Sequence, residues 1–169
     1  MSIRGWPKKI TWNDFGEVST PPGEETGQAY IYSLFSFHYS NPVKDRKGWR
    51  LEKLVVELSV DKGQSWVVKG KEHPELLNHE QGHYDITGLV GGRELYESLR
   101  KLRTGTSKEL LEQKDKIYNR INKKVSRLQE KYDLDVKSSD DQTIIAEKQK
   151  KWDKLLQSCI QGKKFLPNL

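Results

Sequence analysis

His73-Pro-Glu-Leu-Leu-Asn-His-Glu-Gln-Gly-His-Tyr-Asp-Ile86 is the stretch from which the rest of the chain can be read. It contains His79-Glu80-Gln81-Gly82-His83, the H-E-x-x-H spacing. On a helix, residues four apart lie on one face, so His79 and His83 can turn imidazole nitrogens toward one ion. Glu80 sits one step round, placed to hold a water without ligating the ion. Two neutral nitrogen ligands, an open metal position and a nearby carboxylate base are what hydrolysis at a bound zinc requires. The context suits a helix: Pro74 fits the first helical position, where its missing N–H costs nothing, and Leu76 and Leu77 supply packing just before the motif.

Working back from the motif, Leu54, Val56, Leu58 and Val60 alternate with Lys53, Val55, Glu57 and Ser59, as in a half-buried strand. Asp61-Lys-Gly-Gln64 reads as a turn and Ser65-Trp-Val-Val68 as the returning strand. Residues 29–39 have strand character ended by Asn41-Pro42, and a basic turn through Gly48 follows. Ile10-Thr-Trp-Asn-Asp-Phe15 suits a short strand, and residues 19–27 a loop with paired prolines. The expectation is a small antiparallel sheet over about residues 10–68, leading directly into the motif helix.

Forward from the motif, a helical pattern runs from Pro74 to about Arg103. Gly88, Gly91 and Gly92 interrupt it, each costing ~1 kcal/mol against alanine in a helix interior. Either the helix bends there or another element packs against its bare backbone. Thr106-Ser-Lys-Glu109 has the spacing of a capping box. Leu110, Ile117, Ile121, Val125, Leu128 and Tyr132 then mark a helix over about 107–132. Ser139-Asp-Asp-Gln142 resembles another cap and opens a helix over about 140–161. The fold class is α+β, in a single domain spanning residues 1–169.

Composition narrows the function classes. Hydrophobic residues make up 34% and charged residues 32%, and no apolar run approaches the ~20 residues of a membrane span. Met-Ser-Ile-Arg-Gly-Trp-Pro lacks an apolar h-region, which predicts a cytoplasmic chain or a trimmed form of a secreted one. Cys159 is the only cysteine, which leaves no cysteine cage for a metal and suggests a buried thiol. The net charge of +6 tolerates an acidic partner. No aromatic-basic stacking motif accompanies the scattered lysines, so a peptide or protein is the expected partner rather than nucleic acid.

The octet His79–Ile86, preceded by Leu76-Leu77, resembles the signature of a little-studied bacterial family of predicted zinc-dependent proteases. In that family the octet reads H-E-Q-G-H-(F/Y)-D-I. Ile10–Phe15, Pro21-Pro22, Ser65-Trp-Val67 and Arg93-Glu-Leu95 match further family features in order. Late in the chain, Tyr132-Asp-Leu-Asp135 and Gln149-Lys-Lys-Trp152 stand where the family shows Y-D-x-E-T-x-H-G and Q-x-x-W. The histidine of that late pattern is absent here. The resemblance implies a zincin-like fold, bound zinc and peptide-bond hydrolysis with Glu80 as general base.

A catalytic zinc usually takes three protein ligands. Glu94 lies ~16 Å along an unbroken helix from His83, and Asp85 falls on another face. A carboxylate from the later helices is the reasonable third ligand. Asp135 stands where the resemblance places a glutamate and is the expected residue, with Asp133 and Asp141 behind it. For each, an exposed carboxylate at a helix end is the competing reading. Tyr132 offers an oxyanion hydroxyl, although its place on the apolar stripe favours packing. His73 reads as a loop residue and His38 as an exposed or packed strand residue. The alternative to an enzyme is a catalytically inactive zincin-like binding protein, motivated by the missing late histidine.

Overall fold

Two three-stranded sheets and four helices build the protein, as seen in a computed structural model that describes residues 3–23, 27–137, 141–164 and 166. The strands are β1 (Ile3–Arg4), β2 (Gly16–Val18), β3 (Ala29–Tyr30), β4 (Ser33–Asp45), β5 (Gly48–Val60) and β6 (Trp66–Val68). The helices are α1 (Pro74–Thr87), α2 (Leu95–Lys101), α3 (Ser107–Val136) and α4 (Gln142–Ile160). This is an α+β architecture. Among the described residues no helix is long and apolar enough to cross a membrane.

The larger sheet has the order β1-β5-β4. The alternation read from residue 53 to 60 belongs to β5, which pairs antiparallel with β4 in a long hairpin and parallel with β1. Register slips between His38 and Ser40, and again between Ser40 and Val43, carry β4 past Pro42 to Asp45. Asn41-Pro42 therefore does not end the strand. Proline is tolerated at a bulge because no ladder bond needs its N–H.

The smaller sheet departs further from expectation. β6 does not return along β5; it lies between β2 (parallel) and β3 (antiparallel) in a separate sheet ordered β2-β6-β3. The single antiparallel sheet is thus corrected to two mixed sheets. Ile10–Phe15 is no strand either: Trp12–Asp14 form a 3-10 turn, with the Thr11 N–H donating to Asp14 Oδ2 (2.9 Å). Its flanking residues Ile10 and Phe15 point into the core.

The helical run from Pro74 continues to Lys101 without a break, through a π-helical stretch from Gly88 to Glu94. The glycines mark close approaches. A Cβ on Gly88 would lie 2.3 Å from the Trp6 ring, and one on Gly91 would lie 2.4 Å from the Phe35 ring. The widened turn and missing side chains let the N-terminal segment and β4 press onto the helix. Buried residues of this run (Tyr84, Ile86, Val90, Leu95, Leu99) join those of α3, α4 and both sheets in one apolar cluster. Thr106 caps α3 through the Glu109 N–H, 3.1 Å away. α3 extends to Val136, four residues beyond its expected end. Asp141 caps α4 through the Thr143 N–H (2.8 Å), while the Ser139 and Asp140 of the expected cap lie outside the described residues.

Candidate metal centre

Every residue of the octet has a distinct place. His79 and His83 project from one face of α1 toward α3, with their Nε2 atoms 3.2 Å apart. Glu80 is buried and lines the same cleft. Gln81 ties α1 to the N-terminal segment: its Oε1 accepts from the Ile10 N–H and its amide donates to the Lys8 carbonyl, at 3.0 and 3.1 Å. Gly82 leaves room for Tyr132, whose hydroxyl would stand 2.2 Å from a Cβ there. The Tyr84 hydroxyl donates to the Gly5 carbonyl (2.6 Å), and Asp85 accepts from the Trp6 indole N–H (3.1 Å). Ile86 is fully buried.

The third member of the cluster is Asp133. Its Oδ1 lies 3.1 Å from His79 Nε2 and 3.3 Å from His83 Nε2. His79, His83 and Asp133 together form a group that could hold a metal ion. The three ligand atoms are 3.1, 3.2 and 3.3 Å apart. A tetrahedral zinc with bonds of ~2.0–2.1 Å needs ligand atoms about 3.3 Å apart. The donor set therefore fits in both chemistry and spacing.

The expectation of Asp135 is corrected. Residues two apart on a helix are turned ~200° from one another, so Asp133 and Asp135 occupy opposite faces of α3. Asp135 accepts from Lys131 Nζ at 3.0 Å and from the Trp152 indole at 3.3 Å. Asp141 caps α4, and Glu94 pairs with Lys124 Nζ at 2.7 Å. His73 caps α1, accepting from the Leu76 N–H, and the exposed His38 lies 3.6 Å from Glu57.

A second ring of residues fixes which nitrogens face the centre. The amide of Gln129 donates to the His83 carbonyl (3.0 Å) and Thr87 Oγ1 (2.9 Å), so its Oε1 is the end against His83 Nδ1. The amide of Gln149 donates to Asp153 Oδ1 (2.8 Å), and its Oε1 lies 3.3 Å from His79 Nδ1. An amide oxygen only accepts, so both Nδ1 atoms carry the proton and both Nε2 lone pairs face Asp133. The Tyr132 ring lies flat against that of His79, 4.9 Å between centroids, and its hydroxyl contacts the His79 carbonyl and Gln149. Tyr132 is wholly buried, so it packs and orients rather than reaching into the cleft.

The electrostatics agree. Two imidazole nitrogens and a carboxylate oxygen this close together favour a shared cation, whether a proton or a metal ion. Burial opposes charging of His83, but Asp133 and Glu80 outweigh it and raise its pKa; the field that attracts a proton attracts a metal ion as well. For Asp133, burial is outweighed by the facing imidazoles of His79 and His83 and by Lys137, which hold its carboxyl well below the usual range. Lys137 Nζ stands 2.9 Å from Asp133 Oδ1. Burial pushes the Glu80 carboxyl up, and the two histidines pull it back only in part.

The cleft holds about 390 Å³ between α1, α3 and the segment from Ala29 to Ser33. That segment is pinned across α1 by the Ile31 N–H, which donates to Glu80 Oε2 at 3.0 Å, and by Ser33 Oγ, 2.9 Å from Thr87 Oγ1. Sequence reasoning missed Gln129 and Lys137. Gln129, Tyr132 and Asp133 stand at i, i+3 and i+4, the spacing of one helix face, and that signal appears once α3 is allowed to run past residue 132. Set against known proteins, the chain matches no family model, no curated protein and no solved structure.

Proposed function

We propose that this chain is a zinc-dependent peptidase in which His79, His83 and Asp133 hold the metal and Glu80 is the general base. The observation that carries this reading is the convergence of three ligand atoms at the separations of a tetrahedral site. Bound zinc would lower the pKa of a water toward ~7 and polarise a carbonyl. Glu80, with its pKa raised by burial and Oε2 held by Ile31, accepts the proton of the attacking water and returns it to the leaving amine. β3 is the outer strand of its sheet and lines the cleft, so an extended peptide can lie along it. The convergence of Tyr132 and Gln149 on His79 supports the resemblance carried by those same residues.

A second reading, a zincin-shaped binding protein without turnover, is favoured by Lys137, which neutralises the oxygen that would ligate the metal. Zinc content and cleavage of a peptide library by wild type and Glu80→Gln separate the two. The peptidase reading expects one zinc in both proteins and cleavage only by wild type. Equal cleavage by both contradicts the role of Glu80, and zinc without turnover in either favours the binding protein.

A further inference from the structure

Between Lys116 and Gln129, α3 carries five basic residues and no acidic one. Lys116, Arg120, Lys123 and Arg127 recur at i, i+4, i+7 and i+11. That spacing puts them within about 60° of arc on one face, over ~16 Å of helix. All four are exposed and line one open trough. None of the four makes a hydrogen bond or an ion pair among the described residues, whereas the neighbouring Lys124 is neutralised by Glu94. Further along α3 the cations are paired: Lys131 with Asp135 at 3.0 Å and Lys137 with Asp133 at 2.9 Å. Leu134 continues the row seven residues past Arg127, and at 72% it is the most exposed of the large apolar side chains among the described residues. Glu130 stands at the edge of the row.

We propose that this face of α3 docks on an anionic lipid surface, with the four cations on the headgroups and Leu134 entering the interface. A straight helical row of long basic side chains matches a plane of negative charge, and its uncompensated charge is what such a surface attracts. The exposed leucine separates this occupant from nucleic acid, whose phosphate backbone has no use for it. The described residues lining the trough also offer no aromatic ring on which a base could stack. Asp133 directly precedes Leu134, so docking sets the cleft beside the bilayer. This proposal rests on residues outside the metal centre and stands whether or not that centre is catalytic.

The test is co-sedimentation of the full chain with vesicles of phosphatidylglycerol and phosphatidylcholine, against vesicles of phosphatidylcholine alone. Binding is expected to the anionic vesicles only, weakening steeply as salt rises. Each basic residue near such a surface is worth about a fivefold gain, so Arg120→Gln with Lys123→Gln should weaken partitioning about 25-fold. Arg120→Lys with Arg127→Lys should retain it, and Leu134→Gln should weaken it independently of salt. Thermal melting and zinc content of each variant, unchanged from wild type, show that the fold is kept. Failure of the wild type to sediment with anionic vesicles overturns the proposal. So does equal sedimentation of the double glutamine variant, or tighter binding to duplex DNA than to the vesicles.

Discussion

Gly82 and Tyr132 fit together as gap and filler: the bare backbone between the two histidines is where the tyrosine hydroxyl rests. A methyl at residue 82 would stand 2.2 Å from that oxygen. The Tyr132 ring in turn stacks on His79 and meets His83 edge-on, both at 4.9 Å. The glycine thus sets how closely α3 approaches the histidines.

Gly82→Ala is expected to push Tyr132 off His79, destabilising the protein by ~1–3 kcal/mol and loosening the metal centre. Tyr132→Phe, which keeps the ring and drops the hydroxyl, should cost only ~1 kcal/mol. Chemical denaturation of the two variants checks this. Equal losses would show that the ring's position does not depend on the missing side chain.

Asp133→Asn and Asp135→Asn should behave oppositely. Asp133→Asn removes a proposed ligand, and zinc affinity should fall by more than the ~10–100-fold typical of changes behind the ligands. Asp135→Asn, on the far face of α3, should leave affinity unchanged and lower stability slightly through its bonds to Lys131 and Trp152. Competition titrations with a chromophoric chelator read both.

Gln129→Leu removes the acceptor that keeps the His83 proton on Nδ1. Zinc affinity is expected to drop ~10–100-fold, with His79, His83 and Asp133 untouched. Gln129→Glu retains an acceptor at that point and should bind zinc more tightly than the leucine variant. The same titration distinguishes them; identical affinities would show that the amide does not orient the imidazole.

Gly91→Ala places a methyl 2.4 Å from the Phe35 ring, where β4 crosses the π-helical turn. A net loss of ~1–3 kcal/mol is expected, opposite in sign to the propensity effect of the change, which favours alanine by ~1 kcal/mol. Among the described residues Gly92→Ala meets only the Ile3 methyl, at 3.5 Å, and should be neutral or stabilising. Thermal melts of the pair check the contrast.

The motif helix and the α+β class were legible because each is a local pattern, while the glycines signalled either a bend or a close approach, of which the structure shows the close approach. The third ligand was not. Asp133 and Asp135 are equivalent by composition; the resemblance favoured Asp135, and only the phase of α3, carried past Tyr132, selects Asp133. The fate of β6 was hidden for a different reason. A three-residue strand carries too little pattern to choose among partners, and its pairing with β2 and β3 depends on contacts distant in sequence. The role of Gln149 was half visible, since the resemblance singled it out but gave it no partner.

X-ray absorption at the zinc edge, on the chain loaded with one equivalent of zinc, tests the central claim most directly. The account predicts nitrogen and oxygen ligands at ~2.0–2.1 Å, with the outer-shell scattering of two imidazoles, and one fewer imidazole in His83→Ala. A spectrum without imidazole scattering, or one unchanged in His83→Ala, would contradict it.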